Sequence, residues 1–470
     1  MKKIGIILTC CMALVALGSA PALALDIIEL QKKIAEQGAS WVAGENAVTR
    51  LPEEIRHSGY YYSTDMPEDA VINTEWDGPY KKDVPTYVDW RDMNGKNYLT
   101  SIKDQHPCGS CATFSTVGML EAHIKIATDN DFIEPNLAEQ VVWSCAGDLM
   151  PPATFFHTLG FLKSDGTTDE GCFPYDQAQC EDNMLGRLDC ADRCQDAAAR
   201  SYGIKDYKFY MFSGPEPFVQ ALQQGPMVAG FMVFEDFEAY TGGVYEHVSG
   251  QMLGGHAVSI VGYDSEEEYW ICKNSWGPDW GENGFFRVRW GQGLLDFGYQ
   301  AATIDVDYDH LCGDNLSPSI SDLELVGSGA KGVEIAFNWE DTDGGMTGGE
   351  LWYALDGGDF QRFETPLTQC MGTASTEPEV FDIPGSFDGI EVYVKDICGG
   401  QSNVLTLGDV PVDDDDDNMD DDDASDDDDD VTPDDDDASD DDDVTGDDDD
   451  QTDPAGGDDD DDNDSGGCGG

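Results

Sequence analysis

Apolar positions change rhythm several times along this chain. After the basic start "MKK" an apolar run reaches Leu17 and gives way to small residues ending in "ALA" at 22–24. That run is too short for an ordinary spanning helix, which takes roughly 20 apolar residues, and the three-part order is that of a secretory leader. The exported chain is expected to begin near Leu25. In "IIELQKKIAEQG" the spacing of Ile27/Ile28, Leu30 and Ile34 predicts an amphipathic helix. A second, more apolar helix is predicted from Cys111, where Phe114, Val117, Leu120, Ile124 and Ala127 recur at helical intervals. "EPFVQALQQGPMVAGFMV" reads as a helix and then an apolar strand, broken at Gly225-Pro226, and further strands are expected at 256–263 and 284–290. Beyond residue 315 the period becomes two, in Val333, Ile335, Phe337, Trp339 and again in Ile390, Val392, Val394, with the turn "DGGD" at 356–359 between such runs. Those alternating runs predict a small β-sandwich.

Composition divides the chain the same way: a leader over 1–24, a charged segment over 25–80, an aromatic-, Gly- and Cys-rich region over 81–312, the sandwich over 313–411 and an Asp-rich tail over 412–470. The third region is long enough for one large or two small cores. The tail repeats "DDDDASDDDDDVTP" as "DDDDASDDDDVTG", holds no aromatic residue or basic partner, and cannot bury enough apolar surface to fold, so it is expected to be disordered. Formal net charge is −73, and the chain stays strongly acidic without the tail's 33 aspartates. Nucleic-acid phosphates and anionic lipid would be repelled. The plain reading of the tail is a solvated spacer; the sharper one is weak calcium binding, because clustered carboxylates are hard-cation ligands, although no EF-hand spacing forms an ordered site. No cofactor and no ordered metal site is expected, and no later segment suits a membrane span. Of fourteen cysteines, Cys10 and Cys11 lie inside the leader's apolar run rather than at its end, which argues against lipid attachment. The remaining twelve enter an oxidising compartment, where most should pair and a free thiol needs a reason.

"KDQHPCGSCATFS" at 103–115 supplies a candidate for that reason. A zinc site would need a second ligand pair, and a thioredoxin-like motif would follow a strand; neither context is visible. Instead Cys111 opens a predicted helix, where unpaired backbone N–H groups and the helix dipole favour thiolate. Three blocks then resemble the papain family of cysteine peptidases, in order between about Val84 and Asp307: "QHPCGSC", "GGHAVSIVGY" and "YWICKNSWGPDWGENGFFRV", with "LAEQ" at 137–140 and "GCFPY" at 171–175 between them.

The resemblance implies an α+β, two-lobed peptidase with Cys111 on a helical lobe, His256 and Asn274 on a β-rich lobe, and the cleft between. It implies Cys111 as nucleophile ion-paired with His256 near neutral pH, Asn274 orienting the imidazole under Trp276, and Gln105 with the Cys111 N–H as the oxyanion hole; Trp280 is read as packing. Residues 41–56, "WVAGENAVTRLPEEIR", resemble the short propeptides of some bacterial members, which places the activating cut between about Trp76 and Val84. Cys108 is expected to pair with Cys145, the alternative being that Cys145 pairs with Cys180; Cys172, Cys180, Cys190 and Cys194 are expected to form local bridges, and Cys272 to be a buried thiol. Cys370 should bridge Cys398. Departures from the family pattern are Ala112 after the nucleophile, Asp148 in place of a cleft-edge glycine, and Gly255 before His256. The function expected is a secreted or extracellular cysteine endopeptidase acting on protein or peptide substrates, on the surface of or outside a bacterial cell. The alternatives are a catalytically silent peptidase-like surface binding protein and an exopeptidase. Cys468, alone near the end of the tail, is the expected tethering point.

Overall fold

The structure, a computed structural model, describes residues 26–56, 72–79, 81–146, 155–178, 187–211, 214–292, 300–306, 316–328, 332–341, 349–367 and 378–408. The expected leader, Asp148, Cys180, Cys370, the acidic tail with its calcium reading, and Cys468 lie outside these residues. Among the described residues no helix is long and apolar enough to cross a membrane.

Helix α1 (Ile27–Gln37) starts where the Asp26 carboxylate accepts the Glu29 N–H, and it ends on left-handed Gly38. It turns Leu30 and Ile34 inward, as their spacing predicts. Strand β1 (Val42–Ala43) and the short α2 (Glu53–Arg56) follow. Next come β2 (Ile72–Asn73) and β3 (Tyr87–Asp89). Helix α3 (Cys111–Ala127) is buried on almost every side, as a helix apolar all round should be. Packed near it are α4 (Glu139–Cys145) and α5 (Phe155–Ser164).

The β-rich lobe adds β4 (Ile204–Met211), α6 (Glu216–Ala221), β5 (Met227–Phe234), β6 (Tyr240–Gly242), β7 (Val244–Tyr245), β8 (Met252–Asp264), β9 (Tyr269–Lys273), β10 (Phe285–Arg289) and β11 (Gln300–Val306). Nine strands form one sheet in the order β2-β4-β11-β5-β8-β9-β10-β7, with β3 also paired to β8. The central strands β5 and β8 are buried on both faces and therefore read as continuous apolar runs. Its core is aromatic: Phe231, Phe237, Tyr245, Trp270, Trp280 and Phe286 are buried together.

Residues 26–56 lie against this lobe. β1 adds to β6 antiparallel, Val42 opposite Gly242. Trp41 packs edge-on to Tyr245 at 5.2 Å, Asn46 Nδ2 donates to the Glu238 carbonyl at 2.9 Å, and Arg56 meets the buried Glu238 carboxylate at 3.1 Å. Further on, β2 pairs parallel with β4, and the Asp77 carboxylate accepts from Lys208 and Tyr210.

Two further sheets follow, one of β12 (Ser319–Ser328), β13 (Gly332–Glu340) and β16 (Glu379–Pro384), the other of β14 (Glu350–Leu355), β15 (Gln361–Arg362), β17 (Gly389–Lys395) and β18 (Leu405–Gly408). Ile335, Phe337 and Trp339 alternate into their shared core to meet Ile390, Val392 and Val394, as the period of two predicts. This sandwich also touches the helical lobe. Ile397 is buried in the same cluster as Leu120, Ile124 and Ile133, Asn130 Nδ2 donates to Glu350 at 2.7 Å, and the Arg362 guanidinium lies 3.6 Å over the Phe132 ring.

Disulfide pairing differs from expectation. Cys145 joins Cys190 and Cys172 joins Cys194, because the end of α4 lies beside the 190–192 turn while Cys194 donates its N–H to the Cys172 carbonyl. Cys108 is disulfide-bonded, though not to Cys145, and Cys398 is disulfide-bonded as well. Cys111 and Cys272 are buried free thiols.

Candidate active site

Helix α3 and strand β8 meet at the Cys111 sulfur. Backbone N–H groups of Ala257, Ala112 and Cys111 itself point at it, and Ala257 is the residue after His256, so strand pairing brings the histidine to the helix start. Ser259 Oγ donates to the Ser115 carbonyl at 3.1 Å and ties the two elements together one turn further on. His256 Nε2 lies 2.8 Å from Asn274 Oδ1. The Trp276 ring covers that contact, 4.9 Å from the imidazole, and Trp280 packs edge-on behind Trp276 at 4.8 Å.

Asn274 is placed by the turn that follows β9. Its N–H donates to the Gly284 carbonyl at 3.0 Å, and Gly284 adopts φ +83° where a Cβ would meet the Ile102 side chain at 2.5 Å. Only glycine fits there without displacement. Ser275, which the sequence reading passed over, bonds in two directions: its N–H donates to Asn274 Oδ1 at 2.9 Å and its hydroxyl to Gln105 Oε1 at 2.6 Å. Gln105 Nε2 in turn donates to the Cys108 carbonyl at 3.0 Å. All four expected residues, Gln105, Cys111, His256 and Asn274, are buried; hydrogen bonds through Ser275 link Gln105, Asn274 and His256, and Cys111 lies at the Ala257 N–H beside His256.

Burial sets the protonation of the central pair. It pushes the Cys111 thiol up to about 11, against the three N–H groups that favour thiolate. It lowers His256 to about 4, against the Asn274 hydrogen bond and with some added repulsion from His106. Burial thus opposes charge on both groups, while the N–H groups at Cys111 and the Asn274 bond at His256 favour it.

Behind α3 lies a cluster of charges that periodicity does not announce. Lys103 Nζ donates to Glu121 at 3.0 Å, to Glu139 at 2.8 Å and to the Leu137 carbonyl at 2.9 Å. Burial alone would discharge Lys103, but the Glu121 and Glu139 carboxylates outweigh it and hold its pKa above the ordinary value. Burial raises Glu139 and Glu170, each also repelled by neighbouring carboxylates. Lys103, Glu121 and Glu139, with Lys273, Asn274 and Ser275, line a cavity of about 20 Å³, room enough for a water molecule.

The comparisons agree with the geometry. The profile described as papain family cysteine protease matches residues 84–303. The chain is 35% identical over 215 residues to "Cathepsin B-like CP2" of Giardia intestinalis, an alignment covering 44% of this chain and 70% of that one. It belongs to the papain family of cysteine proteases. It is therefore a cysteine-type peptidase with protein substrates. "Cathepsin B-like cysteine proteinase 3" of Caenorhabditis elegans is 27% identical over 281 residues, covering 54% of this chain and 75% of that one. In fold, the papain-like region resembles procathepsin B S9 from Trypanosoma congolense, with TM-score 0.51 at 20% identity, over 61% of this chain and all of that one. These relatives are eukaryotic.

Proposed function

We propose that the chain is the precursor of a secreted cysteine endopeptidase. The observation that carries this is the junction of α3 with β8, where the Cys111 sulfur meets the backbone beside a histidine whose far nitrogen is already held by Asn274. As thiolate, Cys111 attacks the scissile carbonyl; His256 protonates the leaving amine, and a thioester acyl-enzyme forms. His256 then takes a proton from water as the water attacks the thioester. Asn274 keeps the imidazole oriented throughout, and Trp276 keeps that contact dry. Gln105 uses one amide hydrogen on Cys108 and has its second for the oxyanion, together with the Cys111 N–H.

Residues 25–80 are read as a propeptide. They have little core of their own, since Leu30, Ile34, Trp41 and Val48 are all buried in the β-rich lobe's cluster. Cleavage between about Trp76 and Val84 releases them, lets water reach Cys111 and His256, and lets the pair charge. The sandwich is read as an accessory module, and the tail as a solvated tether.

Cys111→Ala tests the assignment. Peptide hydrolysis should fall by on the order of 10⁶-fold, the scale seen when a nucleophile is removed, with the fold retained. Hydrolysis persisting in that variant would contradict the role given to Cys111.

A further inference from the structure

The Asn274 amide is bonded on one side only. Its Oδ1 accepts the Ser275 N–H at 2.9 Å, which fixes that atom as the oxygen, so His256 Nε2, 2.8 Å away, is the ring nitrogen that carries hydrogen. Its Nδ2 is shut from solvent with no hydrogen-bond partner among the described residues, in a residue only 3% exposed. A buried donor left unbonded is destabilising, and a buried water is the usual partner for one.

Asn274 lines the cavity of about 20 Å³ beside α3, and the other side chains around that cavity suit a water. Lys103 is fully engaged, with its hydrogens on Glu121, Glu139 and the Leu137 carbonyl. Lys273 is not. Its Nζ gives two hydrogens to the Thr100 carbonyl and hydroxyl, each at 2.9 Å, and an ammonium has a third. On the accepting side, the Glu139 carboxylate has lone pairs beyond those that Lys103 uses, and the Ser259 hydroxyl, which donates to the Ser115 carbonyl, can still accept. A water among these groups finds two donors and two acceptors, a full complement.

We propose that the cavity binds one ordered water that takes the Asn274 Nδ2 hydrogen, and that Lys273 and Glu139, by holding this water, are positioning residues for His256. With both ends of its amide bonded, Asn274 cannot turn Oδ1 away from the imidazole without losing a bond at each end. The catalytic consequence rests on the peptidase reading above; the water site itself does not.

Gly118 provides the test. It lies on α3 in the cavity wall, where an added Cβ would meet only Lys273 Nζ, at 3.8 Å. Gly118→Ala therefore puts a methyl group in the water's place, removes no polar atom and favours the helix. Gly118→Ser puts a hydroxyl there instead. In the processed enzyme, kcat of Gly118→Ala should fall about 2- to 10-fold with KM nearly unchanged, the rate equivalent of one hydrogen bond, and Gly118→Ser should recover most of that loss. A high-resolution crystal structure of the full chain carrying Cys111→Ala should show one water within hydrogen-bond distance of Asn274 Nδ2, and this measurement decides the site even if the Gly118 variants do not fold. A cavity without that water overturns the proposal. Wild-type kcat in Gly118→Ala, or an equal loss in Gly118→Ser, overturns the positioning role. A water in place with no turnover by the wild type contradicts the peptidase reading and leaves the site standing.

Discussion

The two walls that bring Cys111 and His256 together are built from opposite materials. Helix α3 has its own apolar cluster, yet its Glu121 meets Lys103 and, through it, Glu139, with Lys273 at the end of β9 lining the same cavity. The wall that carries His256 is strand on strand, backed by Phe231, Trp276, Trp280 and Phe286. Buried ion clusters are sensitive to the loss of one partner, because the others remain as uncompensated charge. Apolar strand packing loses only the contacts removed. The nucleophile's support should therefore respond to pH more than the histidine's.

Lys103→Met breaks the comparison most directly. It leaves Glu121 and Glu139 buried without their cation, and stability should fall by about 3–5 kcal/mol at neutral pH. Carboxylates whose folded pKa is raised bind protons more tightly in the native state, so the deficit should shrink as pH falls. Ile260→Ala, on the strand wall, should cost about 2–5 kcal/mol at every pH. Denaturant melts at pH 5 and pH 8 decide the matter, and equal pH dependence in the two variants would erase the distinction.

Asn274→Ala is the smaller perturbation. It removes the partner of His256 Nε2 without changing a charge, and kcat should drop about 10- to 100-fold, as is usual when a group that orients a reacting residue is lost. Stability should change little beside the effect at Lys103. A loss of kcat as deep as that of Cys111→Ala would mean that Asn274 does more than hold the ring.

Much of this was legible in the residues, for physical reasons. The α3 periodicity, the alternating runs of the sandwich and the Gly225-Pro226 break are local signals, and each element stands where its pattern placed it. Cys111, His256 and Asn274 were singled out through short motifs whose order along the chain matches the family's, and the structure places His256 beside Asn274. What stayed hidden depends on long-range contacts. Cys145 finds Cys190 only after α4 and the 190–192 turn have packed. β1 finds β6 across some 200 residues, and Ile397 reaches the helical lobe from the far end of the sandwich. Ser275 carries no periodic signal, and its two hydrogen bonds, from the N–H to Asn274 and from the hydroxyl to Gln105, exist only once both loops are in place.

The central claim is that Cys111 is a nucleophile restrained by burial in the precursor and released by loss of the N-terminal segment. Covalent labelling by an epoxide-type thiol inhibitor, located by peptide mass spectrometry before and after cleavage between Trp76 and Val84, tests it. Because burial holds the Cys111 thiol near 11, protonated at neutral pH, the intact chain should label slowly at pH 7 and faster as pH rises. The cleaved enzyme should take up one equivalent rapidly, on Cys111 and not on the buried Cys272. A cleaved enzyme left unlabelled at Cys111, or an intact chain labelled just as fast at pH 7, would contradict the account.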